Sequence, residues 1–356
     1  MEHTHSEERR IQWPGSLVIA RDVLIFLVCI LTVALVYLVS SRALPAEAAG
    51  GATATASVDA NLQSAAVSKA SQTVPLQADT SPSESDSAKE AGASFLPEPT
   101  PLPVSDTPAS NGDFSAVFPT ADTGTNALFS YQSDTTKIAI TKIQKNDVTY
   151  FVADVWVKTI DAFHTALADG TYGRGFHEMP LKIASENQAV FAVSGDYYGA
   201  REQGVVVRDG VLYRDVMGDD VCILKKDGTL SVYQKGSFSA LDRLDSSVWQ
   251  AWAFGPALVE NGKACDTSNS KIKVKNPRSA IGYYEPGHYC FIVVDGRQSG
   301  YSVGMSLDEL VGTFAALGCV TAYNLDGGAT ATMVFQGAVV NQPTNGGRSS
   351  SDIIYF

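Results

Sequence analysis

Cys319-Val320-Thr321-Ala322-Tyr323-Asn324-Leu325-Asp326-Gly327-Gly328-Ala329-Thr330-Ala331-Thr332-Met333 is the stretch around which the rest of the chain is organised. Its first half is apolar and rich in residues that favour strands. Asn324 and Asp326 alternate about Leu325, so on a strand they project to one face. Gly327 and Gly328 then allow a tight turn in which backbone N–H groups can approach an anion. The simplest reading of a lone Asp-Gly-Gly is a turn after a strand. The neighbouring segments argue for more than that.

Asn276-Pro277-Arg278-Ser279-Ala280-Ile281-Gly282 precedes a hairpin, and Val293-Val294-Asp295-Gly296-Arg297 ends a strand. Gly304-Met305-Ser306-Leu307-Asp308-Glu309-Leu310 opens a helix, and Val340-Asn341-Gln342-Pro343 lies ahead of Arg348. Upstream is Val193-Ser194-Gly195-Asp196-Tyr197-Tyr198. In this order and spacing the segments resemble the phosphodiester glycosidase family. That family includes an enzyme that removes N-acetylglucosamine from a phosphodiester, and bacterial proteins described as exopolysaccharide-related. The resemblance runs from about Asp196 to the C-terminus. It departs at Ser194, where the family usually has Asn, and at Ala329, where a third glycine is common.

The resemblance implies cleavage of a sugar–phosphate bond at the anomeric carbon. Such chemistry needs cations to hold the departing phosphodiester, and a carboxylate to attack an oxocarbenium-like centre or activate water. Arginine suits the first task, because its planar fork matches phosphate oxygens. Arg278, Arg297 and Arg348 lie within the matching segments and are the candidates. Asp326 is the first catalytic candidate and Asp196 the second, with Tyr197 beside it to stack on a sugar face. Asn324 is placed to bind a hydroxyl or acetamido group, and Gly327 and Gly328 to present N–H groups to phosphate. Asp295 is a further candidate, although an Asp before Gly also makes turns. A non-catalytic module that binds anionic surface glycans is the alternative, and a phosphodiesterase cutting the P–O bond is a third reading.

The chain has 356 residues and a net charge of −12. That balance argues against nucleic acid as a partner, since phosphate backbones need a basic surface. Residues 1–22 are polar, with Arg9, Arg10 and Arg21. Residues 23–42 contain a charge-free run long enough to cross a bilayer as a helix. The arginines precede it, which places the N-terminus in the cytoplasm and the rest outside, as a single-pass signal anchor in the cell membrane. Ala46-Glu47-Ala48 leaves a cleaved signal peptide as the competing reading. Residues 43–117, rich in Ala, Ser, Thr and Pro, read as a disordered linker with too little apolar content to offset the entropy of folding.

Residues 118–356 read as one strand-rich α+β domain with few helices. Residues 137–144 and 148–157 alternate across Lys145-Asn146-Asp147 as a hairpin. Residues 163–178, with His164, Arg174 and His177 among glycines, read as a loop. Residues 179–188 have helical spacing, and 189–193 read as a short buried strand. Ser306 and Glu309 form a capping box for a helix with Leu307, Leu310, Phe314 and Leu317 on its buried stripe. His288, after Pro286-Gly287, reads as a solvated turn residue. Four of the five cysteines lie in this part, none at zinc-site spacing; Cys222, Cys290 and Cys319 sit in apolar strand contexts and read as buried free thiols, with a disulfide outside the cell as the alternative. No EF-hand, P-loop or His-Glu-x-x-His pattern occurs, so no metal or cofactor is expected.

Overall fold

The computed structural model describes residues 99–103, 112–120, 127–216, 218–236 and 244–356. The expected anchor and most of the expected linker lie outside them. No helix among the described residues is long and apolar enough to cross a membrane.

Three sheets form the domain, and every strand pairing among the described residues is antiparallel. The eight-stranded sheet has Thr321–Leu325, Arg278–Glu285, His288–Val294, Val148–Val157 and Thr136–Lys145 as successive neighbours at its centre. The five-stranded sheet centres on Phe191–Ser194, flanked by Met333–Phe335 and Asp352–Tyr355. The six-stranded sheet includes Gly204–Arg208, Val248–Trp252 and Val221–Lys225.

The main core collects side chains from one face of each sheet. Ile281, Phe291, Val293, Tyr323 and Leu325 meet Phe191, Val193, Met333 and Ile354 from the second sheet and Leu224 and Trp252 from the third. The opposite face of the large sheet is covered by helix α2, Leu307–Ala316, through Leu307, Leu310, Val311 and Phe314. Helix α1, Pro180–Glu186, covers the outer face of the five-stranded sheet through Ile183 and Ala184. Few helices and many strands follow from the sequence: short β-branched runs, punctuated by turn residues, with only two segments of helical period.

The expected hairpin forms between Thr136–Lys145 and Val148–Val157. Its turn places Asn146 at φ 51° and Asp147 at φ 57°, the left-handed pair that a two-residue hairpin turn demands. The capping box at Ser306 is complete, with the Glu309 carboxylate returning to the Ser306 N–H at 2.8 Å. Leu317 departs from the expected stripe. It is 37% exposed, because the helix ends at Ala316 and Leu317 caps it.

Three other expectations need correction. His164 lies in a strand, His164–Leu167, paired with Asp352–Tyr355, so the glycine-rich loop begins later than expected. His288 is not a free turn residue: its Nε2 lies 2.7 Å from Asp154 Oδ1, and its ring stacks on both Trp156 and Tyr284 at 4.3 Å. The packed chain also begins before residue 118. Phe114 is buried in the main core, and it fills the space left by Gly228 and Gly287, where a Cβ would meet its ring. Thr100–Pro101 pairs with Val211–Val216 at the edge of the six-stranded sheet, and Leu102 is buried beneath it. Linker composition hid these contacts, because a few apolar side chains anchor short segments rich in Pro, Ser, Thr and Asp.

Candidate active site

Antiparallel register gathers the signature segments at one end of the large sheet. Ser279 pairs with Leu325 and Arg278 with Val294. The start of one strand therefore lies beside the ends of its two neighbours, and Arg278, Asp326 and Asp295 emerge together. The five-stranded sheet joins here through three hydrogen bonds. Asp326 N–H donates to Gly195 O at 2.8 Å, Ser194 Oγ to Asp326 O at 3.2 Å, and Ser279 Oγ to Ser194 O at 3.0 Å.

The cavity at this junction encloses about 260 Å³. Its charged lining is Arg201, Arg278, Arg297, Arg348 and Asp326, four cations to one carboxylate. In a chain of net charge −12, so basic a recess is built for an anion. Tyr197, Phe254 and Asn324 complete the wall.

Asp326 is 3% exposed, and its Oδ2 is buried without a hydrogen-bond partner. Burial pushes its pKa up to about 7, while Arg348 and the Thr330 hydroxyl pull it down. Arg348 stands 3.6 Å away, hydrogen-bonded through Nε to Thr330 Oγ1, with its guanidinium 5.4 Å from the centre of the Tyr197 ring. Asn324 donates to Gly255 O at 2.7 Å, which aims its amide and leaves Oδ1 buried and unpartnered. Both orphan oxygens belong to the same wall, and buried polar atoms of this kind ordinarily find a partner.

Arg278 is 3% exposed and donates to the carbonyls of Met305, Ile272 and Val274. Burial, with the charge of Arg297 nearby, lowers its pKa to about 10. Arg297 is braced by Asn276 Oδ1, at 3.1 Å from Nε and 2.9 Å from Nη2. Neither guanidinium has a carboxylate within ion-pair distance among the described residues. An anion placed between them would relieve their mutual repulsion.

Other candidates occupy supporting positions. Asp196 is buried behind the cavity rather than in its wall. It accepts from Tyr197 N–H at 2.7 Å and Ala253 N–H at 2.9 Å, and pairs with Arg208 at 3.4 Å. Arg208 also binds Asp352 at 2.6 Å. Burial alone would lower the Arg208 pKa, but Asp352 and Asp196 outweigh it and raise it. Asp196 thus positions Tyr197 and the strand end through an internal ion triad. Asp295 is likewise engaged, accepting from Asn341, Tyr301 and the Gln342 N–H, and it fixes the loop that carries Arg297. Gly328 N–H donates to Pro277 O at 2.9 Å and is not available to phosphate. Gly327 serves close approach instead, since a Cβ there would lie 2.7 Å from Pro277 O.

Arg201, Phe254, Ile272 and Asn276 also line the cavity and were not among the expected site residues. Arg201 and Phe254 come from the loop after Tyr198 and from the end of Val248–Trp252, segments with no motif of their own. His164 and His177 are absent from the wall, and Arg174 lines a neighbouring cavity with Arg201. Ser194, the departure from the family pattern, is fully buried and supports the backbone of Asp326 and the Thr332 N–H. Among the described residues no cluster of His, Cys, Asp and Glu is suited to hold a metal ion.

Comparison with known proteins adds to this geometry. Residues 187–356 match the family model for phosphodiester glycosidase. A SPbeta prophage-derived uncharacterized protein of Bacillus subtilis, YomE, is 29% identical over 250 residues, covering 62% of this chain and 39% of the relative. The chain thus spans well under half the length of that relative. The catalytic domain of zebrafish N-acetylglucosamine-1-phosphodiester alpha-N-acetylglucosaminidase, auto-inhibited by its pro-peptide, superposes with a TM-score of 0.50 at 22% identity. That match covers 62% of this chain and 82% of the zebrafish chain, and it shows a shared fold. The strand ends that carry Arg278, Arg297, Asn324 and Asp326 all fall within the residues that match the phosphodiester glycosidase model.

Proposed function

We propose that the protein is a glycosidase that hydrolyses the bond between a sugar's anomeric carbon and a phosphodiester. The observation that carries this reading is the single buried carboxylate, Asp326, with an unpartnered oxygen in a wall of four arginines. Arg278 and Arg297 hold the phosphoryl oxygens, with Arg348 and Arg201 at the rim. Phosphate is a good leaving group once its charge is matched, so little acid assistance is required. The C–O bond breaks, the phosphate monoester departs with the bonding pair, and the oxocarbenium-like centre is met by Asp326 or by a water that Asp326 deprotonates. Burial makes Asp326 a stronger base than an exposed carboxylate. Asn324 Oδ1 accepts from a sugar hydroxyl or acetamido N–H, and Tyr197 and Phe254 offer aromatic surface to the ring.

The substrate in this reading is a cell-surface polymer, such as a teichoic-acid-like chain or an exopolysaccharide. Residues 23–42 anchor the protein in the membrane, and the domain acts outside the cytoplasm. Incubation with a panel of sugar-1-phosphodiesters, with free sugar as the readout, tests the activity. Release by the wild type and none by Asp326→Asn supports it. Binding without release by either protein favours a glycan-binding module instead.

A further inference from the structure

On the face of the large sheet that helix α2 covers, Cys290 and Cys319 bring their sulfurs within 3.6 Å. Both are buried, at 0% and 3% exposure. The approach has a local cause. Cys290 lies in His288–Val294, and its neighbour in the adjoining strand is Gly282. A Cβ on Gly282 would lie 2.7 Å from the Cys290 sulfur, so only glycine leaves room for that sulfur to lean across the strand. Beyond Gly282 lies Ala322, and Cys319 enters that next strand from the end of helix α2. Cys319 N–H donates to Phe314 O and Val320 N–H to Tyr283 O, which fixes Cys319 against the sheet.

We infer that Cys290 and Cys319 are a disulfide site, closed in an oxidising compartment by exchange with a small-molecule or protein disulfide. The hydrogen bond from Cys290 lowers the Cys319 pKa, whereas burial raises that of Cys290, so Cys319 is the first to lose its proton. Its thiolate attacks one sulfur of the oxidant's disulfide and expels the other as a thiolate. Cys290, losing its own proton, then attacks the Cys319 sulfur of the mixed disulfide and expels the second thiolate. The pair gives up two electrons and two protons, and the oxidant becomes two thiols.

The bond would close a loop between positions 29 apart in sequence. That loop contains Arg297 and Met305, whose carbonyl holds Arg278 Nε at 3.0 Å. The staple would therefore tie down the segment that supplies one anion-binding arginine and orients another. All four cysteines are free thiols in this structure, but Cys222 and Cys265 pack with the main core, apart from the cluster that holds Cys290 and Cys319.

The test uses the full chain, refolded in a glutathione–glutathione disulfide buffer and then denatured without reductant in the presence of a thiol-alkylating reagent. Three alkylated cysteines out of the five are expected, with one non-reducing peptide joining Cys290 to Cys319. Adding a phosphine reductant to the oxidised protein should lower the Tm by roughly 5–10 °C, because a loop of this size constrains the unfolded chain. The same addition should leave the Tm of Cys290→Ala/Cys319→Ala unchanged. Five alkylated cysteines, or a cross-linked peptide joining another pair, overturns the inference. If the double variant does not fold, the wild-type alkylation count and peptide map decide alone.

Discussion

Arg348 Nη2 stands 3.6 Å from Asp326 Oδ2, the one counter-charge within ion-pair distance of that carboxylate among the described residues. Arg348 is half exposed and Asp326 is not, so the arginine is the partner free to move. A bound phosphate would compete with Asp326 for it. Replacing Arg348 with Met should push the Asp326 pKa above its present value near 7, because the remaining large influence on it is burial. The acid limb of the kcat/KM profile, set by the ionised carboxylate, is expected near pH 7 in the wild type and at higher pH in Arg348→Met. A limb that stays in place would separate the two groups functionally.

Asp326→Asn should lower kcat by on the order of a thousandfold or more, as expected on losing one essential catalytic group. Its stability should move the other way. The folded Asp326 binds its proton more tightly than an unfolded Asp, near 3.8, so ionisation favours unfolding between the two values. Wild-type stability therefore falls as pH rises from about 4 through about 7. Above that range Asp326→Asn should melt higher than the wild type, and the difference should close toward pH 4. A variant that melts lower at pH 8 while keeping wild-type activity would make Asp326 a turn residue.

Asp196→Asn should behave differently. Both Asp196 oxygens accept backbone N–H groups, and one also faces Arg208. An amide NH2 would oppose one of those donors and remove a charge from the buried triad. A cost of about 3–5 kcal/mol is expected, read as a lowered denaturation midpoint. Equal stability of the two proteins would show that the triad tolerates a neutral member.

Arg278→Lys should weaken binding of inorganic phosphate by tenfold or more in calorimetry. An ammonium cannot serve the Met305, Ile272 and Val274 carbonyls and still present a fork to the cavity. Unchanged affinity would remove Arg278 from the anion site.

Phe114→Ala should cost about 3–5 kcal/mol, the usual penalty for emptying a buried aromatic site. A chain beginning at residue 118 should lose as much, whereas one beginning before Pro99 should not. Urea midpoints of the three proteins provide the comparison.

The pattern of legibility follows the physics of each residue. Asn324 and Asp326 were readable because a strand of period two fixes their common face, and glycines marked the turn beyond. The α2 cap at Ser306 and Glu309 was readable because it is complete within four residues. Phe114 was not, since the few apolar residues from 114 to 118 follow neither a helical nor a strand period. Arg201 and Phe254 were not, since they reach the cavity from the six-stranded sheet, and no local pattern announces a contact between sheets. Asp196 looked catalytic for the same reason that it is structural. A carboxylate at a strand end is useful in either capacity, and its partner Arg208 is remote from it in any local motif.

The edge pairing of Thr100–Pro101 with Val211–Val216 has a mechanical meaning. If residues N-terminal to it are held at a surface and the domain is pulled, load enters the fold at this two-residue strand. It reaches Phe114 only afterwards. A pairing so short should peel at low force, while the packed side chains around Phe114 stay intact. That two-residue edge would then yield before tension reached Arg278 or Asp326.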